Sequence, residues 1–105
     1  MAKSSKLRHV VLFGFKATAT PEQIEEVEQA FCALPAKISE IRDFEWGTDV
    51  SVENLAQGYT HCFLVTFLSE ADRDIYLPHP AHQAFVNLLQ PHLEQALVVD
   101  YWSSQ

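Results

Sequence analysis

Three segments of this chain are apolar at nearly every position: His9–Phe15 (HVVLFGF), His61–Phe67 (HCFLVTF) and Leu97–Trp102 (LVVDYW). Their β-branched and aromatic content marks them as strands. A strand with only one covered side alternates apolar and polar residues, because successive side chains point to opposite faces. Here Val10, Leu12, Leu64 and Val98 are apolar although their neighbours already fill the other face. The sheet these strands build must therefore be covered on both sides.

The rest of the chain supplies one cover. Leu7–Phe15 is the first strand. Thr20 with Gln23 three residues on is a capping box, and Pro21 fits the first helical position. Ile24, Val27, Phe31 and Leu34 then recur at helical spacing, with Glu25, Glu26 and Gln29 outward, until Pro35 ends the run or loosens it. Phe44–Val50 is a weaker strand broken by Gly47, and SVENLAQG (51–58) reads as a loop with room for one helical turn. A strong strand spans Tyr59–Leu68. Ser69 opens a short helix that carries Tyr76. A second helix is expected from about Pro80 to about Gln95, kinked at Pro91, and a last strand over Ala96–Trp102.

The order strand, helix, strand, strand, helix, strand is that of an α+β, ferredoxin-like βαββαβ fold, a four-stranded antiparallel sheet with helices on one face. One helical layer covers one side. A second copy of the chain is the simplest cover for the other, so a homodimer packed through its sheet faces is expected.

At 105 residues the chain fits a single domain, 1–105, with a core of about 7–102. A net charge of −7 with scattered basic residues argues against nucleic acid, which needs a basic face. MAKSSKLRHV does not read as a signal peptide and no run approaches membrane-spanning length, so no membrane partner and a cytoplasmic location are expected. Cys32 and Cys62 sit in apolar runs without metal-like spacing and read as buried free thiols. His79 and His82 could ligate a metal at their i, i+3 spacing, but no carboxylate or cysteine accompanies them; no metal and no cofactor are expected.

The histidines are the candidate chemistry. His9 shares a strand face with Val11, Phe13 and Phe15, and His61 shares one with Phe63 and Val65. His82 lies on the stripe of Phe85, Val86 and Leu89, so it points at the sheet, and His9 and His61 can meet it if theirs is the helix-covered face. Burial and the helix N-terminus both disfavour imidazolium there, which leaves a neutral ring able to accept a proton. His79 reads as an N-cap, and His79 and His92 as structural.

HVVLFGFK, FEWGTDVS, GYTHCFLVTF, YLPHPAHQAF and LVVDYW stand in the order and spacing of the stress-responsive α/β-barrel (Dabb) family, which the chain resembles from about Leu7 to Trp102. The resemblance implies a dimeric α/β barrel made of two ferredoxin-like subunits, in some members assembled into larger oligomers. One member of that family is a polyketide cyclase working by aldol closure. Carried over residue by residue, its catalytic pair falls on Tyr76 and His82, its pocket histidines on His9 and His61, and its last-strand aspartate on Asp100 as the orienting group. Glu28, in place of an aromatic residue, and Pro78 depart from that pattern.

Three functions follow as expectations. The first is a homodimer with a small apolar pocket tipped by His9, His61, Tyr76 and His82 and walled by Val11, Phe13, Phe63 and Phe85, binding a small organic ligand. The second is a cyclase-like enzyme acting on a β-keto substrate through Tyr76 and His82. The third is a purely structural stress-stability protein.

Overall fold

The computed structural model describes residues 5–104; the very start of the chain, read above as lacking a leader, lies outside the described residues. Strand β1 (Leu7–Phe15) is followed by helices α1 (Pro21–Cys32) and α2 (Leu34–Lys37). Strands β2 (Asp43–Thr48) and β3 (His61–Phe67), helices α3 (Glu70–Tyr76) and α4 (Pro80–Leu89), and strand β4 (Leu93–Trp102) complete the chain. The strands form one antiparallel sheet in the order β2-β3-β1-β4. This is the ferredoxin-like α+β arrangement that the order of elements implied.

Local chemistry sets the helix ends. Thr20 Oγ1 accepts from Gln23 N while the Gln23 side chain accepts from Thr20 N, and Pro21 follows. Such a cap contributes about 1 kcal/mol. At the other end of the chain the expected long helix is corrected: α4 stops at Leu89, a 3₁₀ turn covers Gln90–His92, and β4 starts at Leu93 rather than Ala96. Pro91 has no N–H to donate and its ring would strike the carbonyl of Asn87, so it ends the α-helix outright instead of kinking it. The 51–58 segment forms no helical turn.

The core fills one side of the sheet. Leu7, Val11 and Phe13 of β1 and Phe63, Val65 and Phe67 of β3 pack with Val27 and Phe31 of α1 and Phe85 and Leu89 of α4. Phe31 is its hub, 4.3 Å between ring centroids from Phe63 and 4.6 Å from Phe85. On the opposite side none of the described residues covers the sheet. Leu97, Val99 and Tyr101 are 45%, 49% and 47% exposed, and Val10, Leu12 and Leu64 are half-buried; Val98, expected on this face, instead pairs with the inward Val11 and falls on the helix side.

Both cysteines are exposed, against expectation. Cys62 alternates with the inward His61 and Phe63 and so falls on the uncovered face, and Cys32 is rotated one residue past the buried Phe31 at the end of α1. Partial burial pushes both thiols up from their ordinary value, helped by Glu28 at Cys32 and Glu45 at Cys62.

Candidate functional site

A cavity of about 270 Å³ lies between the sheet and the helices. Val11, Phe13, Phe31, Leu77, Phe85, Val86, Leu89 and Val98 give it apolar walls; His9, Tyr76, His82 and Asp100 supply its polar atoms. These four come from four different elements, and each is held by local structure.

Tyr76 is the last residue of α3, whose start is capped by Ser69 Oγ accepting from Asp72 N at 3.0 Å. Its ring is buried, and burial pushes its phenol well above the ordinary tyrosine value. His79 is the N-cap of α4: its Nδ1 accepts from Ala81 N at 3.0 Å, and Pro80 begins the helix. That fixes His82 in the first turn, facing Tyr76 with ring centroids 4.4 Å apart.

The His82 tautomer follows from its partner. Nδ1 lies 2.9 Å from Leu77 O, and a carbonyl only accepts, so Nδ1 carries the proton. In the neutral ring Nε2 is then a bare acceptor. Burial lowers His82 below the ordinary imidazole value; the nearby His9 and His79 add to that, and the bond to Leu77 opposes it.

His9, on β1, lies edge-on to Tyr76 with centroids 5.7 Å apart. Its Nδ1 is 2.6 Å from Asp100 Oδ1, on the neighbouring β4 residue in the register. The other oxygen, Oδ2, accepts from Arg73 Nη1 at 3.2 Å. Asp100 thus orients His9, while Leu77 O orients His82. Among the described residues, Tyr76 Oη, His9 Nε2 and His82 Nε2 have no hydrogen-bond partner in the protein, and no buried side-chain polar atom is left sealed and unsatisfied. All three therefore border the open space of the cavity that their residues line.

The expected cluster of imidazoles is divided. His61 and Phe63 face the helix side of the sheet as anticipated but do not line this cavity. His61 Nε2 instead meets Glu28 Oε2 at 2.7 Å and its Nδ1 meets Thr60 Oγ1 at 2.8 Å, beside Phe15 and Trp46. The reason is register: His61 pairs with Phe13, four residues along β1 from His9. Sequence reasoning missed Arg73, which sits three residues before Tyr76 and so shares its face of α3. It also missed Glu28 as a partner for His61, although Glu28 borders the buried Val27 and Phe31 stripe.

The family model for the stress responsive A/B barrel domain matches residues 7–103. This chain belongs to the Dabb family. Among curated proteins, this Dabb chain is 43% identical over 95 residues to the stress-response A/B barrel domain-containing protein HS1 of Arabidopsis thaliana, covering 90% of this chain and 87% of that protein. It is 35% identical over 95 residues to olivetolic acid cyclase of Cannabis sativa, covering 90% and 94%. Among solved structures, the hydroxynitrile lyase of Passiflora edulis superposes with a TM-score of 0.91 at 28% identity, covering 98% of this chain and 97% of that one. A dimeric ferredoxin-like protein of unknown function from Thermobifida fusca superposes at 0.79 with 29% identity, covering 94% and 92%. The Dabb fold thus accommodates enzymes, and at least one structurally similar protein is a dimer.

Proposed function

We propose that this chain works as a homodimer joined through its uncovered sheet faces, and that each subunit's cavity binds a small, largely apolar carbonyl compound on which Tyr76 and His82 act as acid and base. The observation that carries this reading is the set of polar atoms without protein partners, Tyr76 Oη, His9 Nε2 and His82 Nε2, at the edge of an otherwise apolar cavity. Its volume, about 270 Å³, is just below the usual small-molecule range of roughly 300–1,000 Å³. The space continues to His82 and is not filled by Phe13, Phe31 and Phe85, which supports ligand binding over a purely structural role.

In this reading the phenol of Tyr76 donates a hydrogen bond to the carbonyl oxygen. His82 Nε2, bare while Leu77 holds the Nδ1 proton, accepts a proton from the carbon beside that carbonyl or from a hydroxyl group on it. Asp100 and Arg73 hold His9 beside Tyr76, so that a second polar group of the ligand finds a fixed partner. That two similar proteins are by name a cyclase and a lyase supports a catalytic use of the cavity. The homodimer is supported by the exposed Leu97, Val99 and Tyr101 and by the dimeric relative.

The test is a thermal-stability screen of the purified protein against aromatic and β-keto compounds. A compound at one hundred times its Kd stabilises by about 2.7 kcal/mol. Hits that bind are then followed for turnover. The reading expects His82→Ala to lose turnover and Tyr76→Phe to weaken binding. It is overturned if no compound shifts the melting temperature, or if wild type and both variants behave alike.

A further inference from the structure

Helix α3 is the most weakly seated part of the cavity's cover. It has seven residues and buries Tyr76 alone, whereas α4 buries Phe85 and Leu89. Of the apolar residues that line the cavity, Leu77 and Val98 are 41% and 52% exposed, while Val11, Phe13, Phe31, Phe85 and Leu89 are buried. The cavity therefore opens at the seam between the end of α3 and β4. Val98 and Asp100 alternate with Leu97, Val99 and Tyr101 along β4. The seam thus lies on the helix side of the sheet, away from the face that a second copy would cover.

Two polar ties close that seam. Arg73 Nη1 donates to Asp100 Oδ2, and Trp102 Nε1 donates to Glu70 Oε2, each at 3.2 Å. Glu70 and Arg73 stand three residues apart on α3, and Asp100 and Trp102 two apart on β4, so each pair shares one face of its element. Exposed ties of this kind hold weakly. Breaking them orphans nothing. Arg73 Nε keeps Asp74 Oδ1 at 3.1 Å, Asp100 Oδ1 keeps His9 Nδ1 at 2.6 Å, and the exposed Glu70 and Trp102 turn to water. The firm anchor of α3 is the buried Tyr76 ring, whose Oη has no hydrogen-bond partner among the described residues.

We propose that α3 is a lid over the cavity, latched to β4 by Arg73–Asp100 and Glu70–Trp102, and that a carbonyl ligand holds it shut by accepting the hydrogen bond of Tyr76 Oη. The ligand's part in this rests on the carbonyl-binding reading of the cavity; the motion of α3 does not. Segments with few buried apolar contacts open before the rest of a fold, and active-site lids are drawn from them. Ser69, whose Oγ caps α3, and Pro78, just past its end, mark where the lid joins its flanks. Opening carries Tyr76 away from His9 and His82, so the open site lacks its acid. Closure over a ligand brings the three together again. A ligand that binds only the closed form must leave before α3 opens, so it lowers the open population by the factor 1 + [L]/Kd.

Amide hydrogen exchange of the full-length protein, read by mass spectrometry, tests both parts. Without ligand, the amides of α3 are expected to exchange faster than those of α4. Arg73→Gln and Glu70→Gln are each expected to speed α3 by about two- to fivefold and to leave α4 unchanged. Benzoylacetone, an uncharged aromatic β-diketone, is then added at ten times the Kd taken from its thermal shift, and exchange of α3 is expected to fall roughly tenfold. In Tyr76→Phe the ligand-free exchange stays at the wild-type rate, and most of the protection is lost at the same benzoylacetone concentration. Exchange of α3 as slow as that of α4 in wild type and both latch variants would overturn the lid. Thermal stabilisation by benzoylacetone with no slowing of α3 would also overturn it, yet leave the carbonyl-binding reading standing. Fast α3 exchange with neither a thermal shift nor protection would overturn the coupling to ligand and count against that reading too. Equal protection in wild type and Tyr76→Phe would overturn the role given to Oη.

Discussion

His82 donates its Nδ1 proton to the carbonyl oxygen of Leu77 across 2.9 Å, and this bond decides which nitrogen is free for chemistry. Burial lowers His82 below its ordinary value of 6.5, so Nε2 is a bare acceptor at neutral pH. The linkage has a definite sign. The unfolded chain takes up this proton at a higher pH than the folded one, so stability from the buried neutral ring is full above 6.5 and is lost as pH falls through the lowered folded value. An NMR titration of the His82 ring is expected to show a midpoint below 6.5, and ligand binding is expected to fall over the same interval. A midpoint at or above the ordinary value would remove the base from the proposed chemistry.

Tyr76→Phe is expected to cost little stability, within about 0.5 kcal/mol, because the hydroxyl it removes has no protein partner among the described residues. The ring itself is 1% exposed and packs against His9, Phe67 and His82. Tyr76→Ala is therefore expected to cost about 3–5 kcal/mol. Urea unfolding of the two variants separates the packing role of the ring from the ligand-directed role of its oxygen. A large loss in Tyr76→Phe would mean that the oxygen serves the fold.

Much of this architecture is legible in the sequence because it depends on near-neighbour chemistry. The Thr20 capping box, Ser69 at the start of α3, His79 as an N-cap and the inward stripe of Phe85 and Leu89 all come from spacing within one turn or one strand. Pro91 reads as a kink only while its helix is considered alone. In the fold, Leu93–Gln95 find a sheet partner in β1, and the ladder wins over helix continuation. Parity alone puts His9 and His61 on one face. Which cavity each enters depends on register, and pairing His61 with Phe13 carries it away from Tyr76 and toward Glu28. Arg73 escapes local pattern for a similar reason. Its carboxylate partner Asp100 lies 27 residues away on β4.

Phe31→Ala tests the hub of the core and the cavity wall at once. The ring is 1% exposed, stacks on Phe63 and also packs against Phe85 and Phe13. Its removal is expected to cost about 3–5 kcal/mol in a denaturant titration. Because Phe31 also lines the cavity, the space left behind is continuous with it. A bulkier aromatic ligand that wild type rejects is then expected to stabilise the variant. Loss below about 1 kcal/mol would mean that the surrounding rings collapse into the gap, and the larger ligand should then fail to bind.

The uncovered sheet face gives the sharpest test of the homodimer. Val99 is 49% exposed in the single chain and lies beside Val10 on β1 in the register, on the edge strand β4 of that face. Placing a carboxylate there, in Val99→Asp, buries an unpaired charge if a second copy covers the face and costs almost nothing if water does. Sedimentation velocity at micromolar concentration is expected to show a dimer for wild type and a monomer for the variant. Thiol alkylation gives an independent reading of the same face. Cys62 points outward between Leu12 on β1 and Gly47 on β2, whereas Cys32 lies at the end of α1, away from the sheet. Cys32 is expected to react with iodoacetamide in wild type while Cys62 is protected, and Val99→Asp is expected to expose Cys62. Equal alkylation of both thiols in wild type, together with a single sedimenting monomer, would mean that this oily face stays open to water and that the proposed dimer is wrong.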